Sequence, residues 1–153
     1  MVLSITGSIA FALPISGSGA LGSFTGEFNY SSSNLQISIS LTNTSPASNG
    51  GFLTAFAFNI PDSFTINGIG FGASGYDFVR LLQPVNAAPF GDFDTGAAIN
   101  NNNPSWEGGG DPSGGVGISG TGLFTFTLSG NGLLSENDFF NQKCHKCVLN
   151  NKD

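Results

Sequence analysis

A chain of 153 residues is long enough to bury a core without disulfide or metal support, and a single folded unit is expected. Intrinsic disorder pairs few aromatics with strong charge, whereas 12% of these residues are aromatic and only 9% are charged, so disorder is excluded. The net charge is −6, and Arg80 is the only base in residues 1–140. No basic stripe exists to neutralise phosphates, which excludes nucleic acid as a partner and disfavours anionic membrane surfaces.

In chain order, the first signal is also the most regular. Leu3, Ile5, Gly7, Ile9, Phe11, Leu13 and Ile15 alternate with Ser4, Thr6, Ser8, Ala10, Ala12, Pro14 and Ser16. Period-two alternation over this length exceeds the usual strand of about five or six residues. The segment is mildly apolar but lacks a basic leader region and a continuous apolar core, so it reads as mature sequence rather than a signal peptide. Nowhere does a run approach the roughly 20 apolar residues of a spanning helix.

A Gly and Ser linker is expected over residues 17–23. Phe24, Gly26, Phe28 and Tyr30 then alternate with polar residues, and after the turn YSSSN so do Leu35, Ile37, Ile39 and Leu41, which predicts a hairpin. FLTAFAFNI, residues 52–60, is apolar on both faces, as a strand covered on two sides requires. Weaker strands are expected over residues 64–71 and 76–82. Residues 83–115, rich in Gly, Asn, Pro and Asp, read as one long loop of the kind that usually carries function. Strands at 116–118 and 123–128 follow, then a short turn that Ser135 could cap, and a flexible tail.

This pattern predicts an all-β fold, a β-sandwich of jelly-roll or immunoglobulin-like type with seven to nine strands. The parts are residues 1–16 (N-terminal strand), 17–23 (linker), 24–140 (sandwich domain) and 141–153 (flexible tail).

The N-terminal strand carries the leading functional expectation. An extended, alternating segment set apart by a linker is suited to donor-strand complementation, in which it completes a neighbour's sheet through main-chain bonds. Leu3, Ile5, Ile9, Phe11, Leu13 and Ile15 would form the assembly interface, and the partner would be a second copy of the chain in a homo-polymer. Pairing of the strand within its own sheet is the other outcome.

The long loop offers further candidates. Trp106, beside Glu107 among glycines, suits a stacking platform for a sugar ring, which makes a carbohydrate-binding surface module the alternative function; a buried loop anchor is the bland reading. Asp92, Asp94 and Asp111 could offer oxygens to calcium, the one cofactor considered, although their spacing matches no EF-hand and solvated turn acids are the ordinary reading. Asn29 and Asn43 head the sequons NYS and NTS and are candidate glycosylation sites at a strand face and a strand end.

Catalysis is not expected. The one histidine, His145, lies between Cys144 and Cys147 in the tail, without the fourth ligand of a zinc site, and no nucleophile motif occurs. The two cysteines lie outside every readable strand, so no disulfide framework is expected.

LTNTSPASNGGFLTAFAFNIP (residues 41–61), APFGDFDTG (88–96) and WEGGGDPSGGVGISGTGLFTFTLSG (106–130) resemble bacterial exported surface proteins of the exosortase-dependent, PEP-CTERM type. The resemblance implies secretion, a β-sandwich and a role at the cell surface or in extracellular matrix; it brings no active-site residues. The ending NQKCHKCVLNNKD departs from that type, which ends in a Pro-Glu-Pro motif and a hydrophobic sorting helix. Release or polymerisation is therefore expected over anchoring.

Overall fold

A computed structural model describes residues 12–19, 22–49, 51–99, 105–107, 109–135, 138–139 and 148–152. Its first sheet is built around two strictly alternating strands. β3 (Gln36–Asn43) buries Ile37, Ile39 and Leu41 and turns Ser38, Ser40 and Thr42 outward, while β10 (Thr121–Asn131) buries Phe124, Phe126 and Leu128 and exposes Thr125 and Thr127. Alternation of this kind is what a sheet with one wet face demands. The predicted hairpin forms between β2 (Gly22–Ser31) and β3, with Phe28 opposite Ile39. β1 (Leu13–Gly19) and β5 (Thr65–Ser74) complete an antiparallel sheet ordered β1-β2-β3-β10-β5.

The second sheet contains β4 (Phe52–Phe58), β6 (Phe78–Leu81), β9 (Thr95–Ile99) and β11 (Val148–Lys152) in the order β11-β4-β9-β6. Its β4 has two apolar faces, as its sequence predicts. Phe56 and Phe58 join the main core, whereas Ala55 and Ala57 join a smaller cluster with Leu81, Val85, Phe93 and Trp106. Phenylalanines link the two sheets: Phe56 meets Phe124 at 4.7 Å, Phe58 meets Phe126 edge-on at 5.0 Å, and Phe78 meets Phe124 at 4.9 Å between ring centroids. Each fully buried ring contributes about 1.5–3 kcal/mol by leaving water, and such offset or edge-on pairs add to that.

The all-β expectation holds, with local corrections. Residues 83–115 are not one structureless loop: they contain the small hairpin of β7 (Val85–Asn86) and β8 (Asp92–Phe93), the buried strand β9, and a 3-10 turn at Pro112–Gly114. With β7, β8 and β11 the described strands number eleven, against the seven to nine expected. Residues 17–23 do not form a spacer, because β1 runs to Gly19 and β2 starts at Gly22, closing a hairpin. Part of the expected flexible tail is the strand β11, paired with β4 so that Val148 lies opposite Ala57. Around residues 116–118 there is only a single bridge, Leu53 with Val116. Among the described residues no helix is long and apolar enough to cross a membrane.

Candidate functional site

Leu13 and Ile15 stand on the inner side of β1, half-buried against the main core, and pair with Phe28 and Gly26 of the same chain. In the single chain these two residues thus pair within their own sheet. The other residues expected at the interface, Leu3, Ile5, Ile9 and Phe11, lie outside the described residues. The described β1–β2 pairing runs from Leu13 opposite Phe28 to Gly19 opposite Gly22. In the sequence, the apolar alternation begins ten residues before that pairing, at Leu3.

Trp106 does not offer a stacking face. It is 7% exposed and belongs to the smaller cluster behind β4, with Phe90 edge-on at 6.4 Å and 79°. The ring shares this cluster with Ala55, Ala57 and Ala98, whose small side chains leave room for a large one. A sugar ring could reach its face only by displacing that contact, so the glycan-platform expectation is corrected to a packing role.

The acids of the same region act on backbone. Asp94 accepts the Ile60 N–H at 2.8 Å through Oδ2 and the Gln83 side-chain amide at 3.1 Å through Oδ1, while its own N–H donates to Asn59 Oδ1 at 3.1 Å. Asp111 caps the 3-10 turn by accepting the Ser113 N–H at 2.9 Å, and the backbone and hydroxyl of Ser113 hold its carboxyl below the usual carboxylate range. Asp92 is exposed on β8, opposite Asn86. Among the described residues no three acids, histidines or cysteines gather as a metal site would require. Asp94 and Asp111 thus cap a strand end and a turn. Cys144, His145 and Cys147 fall outside the described residues.

The two sequons differ sharply. Asn29 is half-buried on the polar face of β2. Asn43, expected at an accessible strand end, is fully buried; its amide donates to the carbonyls of Val116 at 3.0 Å and Gly51 at 3.3 Å, and its Oδ1 accepts the Ser45 N–H at 3.0 Å. A nitrogen already committed to two carbonyls inside the protein is no acceptor for a glycan.

What sequence reasoning missed is the condition of β5. The weak candidate over residues 64–71 is a ten-residue edge strand whose inner side chains Ile66, Ile69, Phe71 and Ala73 are only partly covered. Alternation of Ile66, Ile69 and Phe71 with glycines was the available signal, blurred by the irregularity opposite Ser129 and Gly130 that shifts the phase of the pattern.

No protein-family model matches the chain, and neither the curated proteins nor the solved structures include a significant match.

Proposed function

We propose that this chain is a non-enzymatic structural subunit of an extracellular filament or surface layer, assembled by lending its N-terminal segment to the sheet of a neighbouring copy. One observation carries the reading. In the sequence the apolar alternation of Leu13 and Ile15 extends back to Leu3, thirteen residues in all, about twice the usual strand of five or six. An alternating apolar segment of that length is suited to pairing with another edge.

Three further features favour it. Leu13 and Ile15 root the segment in the core, so a lent strand would transmit its load directly into the fold. With 9% charged residues, copies meet weak electrostatic opposition. The phrase-level likeness to exported surface proteins suits a place outside the cell. Because the contact joins two different surfaces, repetition generates a chain rather than a closed dimer.

Electron microscopy and light scattering of the full chain, beside a variant with Ile5→Asp and Ile9→Asp, test this. Both substitutions lie N-terminal to β1 and leave the described core intact. Regular polymers from the full chain that vanish in the variant are expected; dispersed monomers at every concentration, or polymers indifferent to the substitutions, overturn the reading.

A further inference from the structure

Of the four outer strands of the two sheets among the described residues, three carry a device that discourages a second neighbour. β1 contains Pro14, which has no N–H to donate; β6 is four residues long and contains Arg80; β11 is five residues long and contains Lys152. Proline, positive charge and shortness are the common protections of exposed edges. β5 has no proline and no charged residue in ten positions, TINGIGFGAS. Its one irregularity, opposite Ser129 and Gly130, leaves Gly68–Ser74 in unbroken register with Leu123–Ser129 of β10.

The side chains along that edge are equally open. Gly68, Gly70 and Gly72 place no side chain on the outer face opposite Ser129, Thr127 and Thr125, so nothing shields the strand's backbone there. On the inner face Ile69, Phe71 and Ala73 pack against the core but are only half-buried, in contrast to the fully buried Phe124 and Phe126 one strand further in. The apolar layer thus stops one strand short of being covered.

From these features, and resting on the assembly reading above, we infer that β5 is the acceptor edge and that its occupant is the segment 3–9 of a second copy. That segment has seven residues, the length of the regular stretch Gly68–Ser74. Its Leu3, Ile5 and Ile9 would extend the inner apolar layer beside Ile69, Phe71 and Ala73, and Ser4, Thr6 and Ser8 would extend the hydroxyl face of β10. The donor comes from another molecule because β1 and β5 form opposite edges of the same five-stranded sheet, four strand spacings or roughly 19 Å apart.

Hydrogen exchange on the full chain, dilute and then concentrated, locates the contact. New amide protection on concentration is expected in Thr65–Ser74, with β6 and β11 unchanged. Gly70→Lys supplies the second measurement. A Cβ at Gly70 would meet nothing closer than Thr127 at 3.6 Å, so the fold accommodates it, while an edge lysine should weaken association at least about tenfold. Unchanged circular dichroism verifies folding of the variant. Assembly with new protection at β6 or β11 instead, or assembly indifferent to Gly70→Lys, overturns the acceptor assignment and leaves the assembly reading standing. Failure of the full chain to assemble overturns both.

Discussion

The side-chain amide of Asn43 donates to the backbone carbonyl of Val116 at 3.0 Å, wholly inside the protein. Val116 exchanges both backbone hydrogen bonds with Leu53 at the start of β4, and Asn43 ends β3, so this one bond ties the first sheet to the second. The Asn43 backbone adds bonds with Gly120 and Ser119, making the residue a junction of three chain segments.

Asn43→Ala is expected to destabilise the fold by about 3 kcal/mol, because it removes the side-chain bonds to Val116 and Gly51 and takes from the buried Ser45 N–H its bond to Asn43 Oδ1. Asn43→Asp should cost at least as much, since a carboxylate there would face two carbonyl oxygens. Urea unfolding checks both through a lower midpoint at unchanged slope. A shift of less than about 1 kcal/mol would reduce the junction to an ordinary strand end.

Tyr30 provides a pH signature. Its hydroxyl is buried with no hydrogen-bond partner among the described residues, and its ring lies 4.7 Å from Phe139. Burial, and secondarily the Asp138 carboxylate, push the phenol above its ordinary value. The folded protein therefore retains the proton at pH values where the unfolded chain, ionising near about pH 10, has begun to lose it. Stability from this group is complete below that unfolded value and is lost as pH rises toward the folded one. Tyr30→Phe should remove this alkaline loss and, by deleting an unpaired hydroxyl, match or exceed the parent's stability by about 1 kcal/mol at neutral pH. Thermal melts at pH 8 and pH 10.5 compare the two; an alkaline loss identical in both would assign the effect elsewhere.

Trp106 is the only tryptophan, so its fluorescence reports a single place. Emission characteristic of an apolar site, with little quenching by iodide, is expected from its 7% exposure. Trp106→Ala should cost about 3 kcal/mol by leaving the alanine face of β4 and β9 uncovered. Oligosaccharides should leave the emission unchanged. A saturable spectral change on adding one would restore the glycan-platform reading.

The sequence made the first sheet legible because its strands have one wet and one dry face. Ile37, Ile39 and Leu41, like Phe124, Phe126 and Leu128, declare their orientation by alternation alone. β9 was hidden for the opposite reason. TGAAI is buried throughout and must be small: a Cβ on Gly96 would run into the Phe56 carbonyl oxygen and come within 2.8 Å of the Ala57 Cα. Alanine and glycine are poor strand formers by propensity, so close packing between strands overrode the local signal. The candidate site was half-legible in the same way. Residues 3–15 announced a strand too long for one partner, but the bare edge of β5 emerged only once the strand order was known.

Asp94 separates the calcium reading from the structural one. Its carboxylate accepts the Ile60 N–H at 2.8 Å and the Gln83 amide at 3.1 Å, which joins the end of β4 to the turn between β8 and β9. If this is its role, Asp94→Ala should lower stability by about 1–2 kcal/mol, the net worth of hydrogen bonds to a charged acceptor less the solvent that replaces it. Asp94→Asn should lose less, because an amide oxygen still accepts from Ile60, while the charge and the bond from Gln83 to the other oxygen go. Neither loss should depend on calcium, and millimolar calcium or a chelator should leave the parent's melting temperature unchanged. A calcium site would behave differently: ligand binding to the folded state would raise the parent's melting temperature with concentration, and both substitutions would abolish that rise. Melting curves of the three proteins with calcium and with chelator therefore decide between a hydrogen-bonded strap and a metal ligand at the same carboxylate.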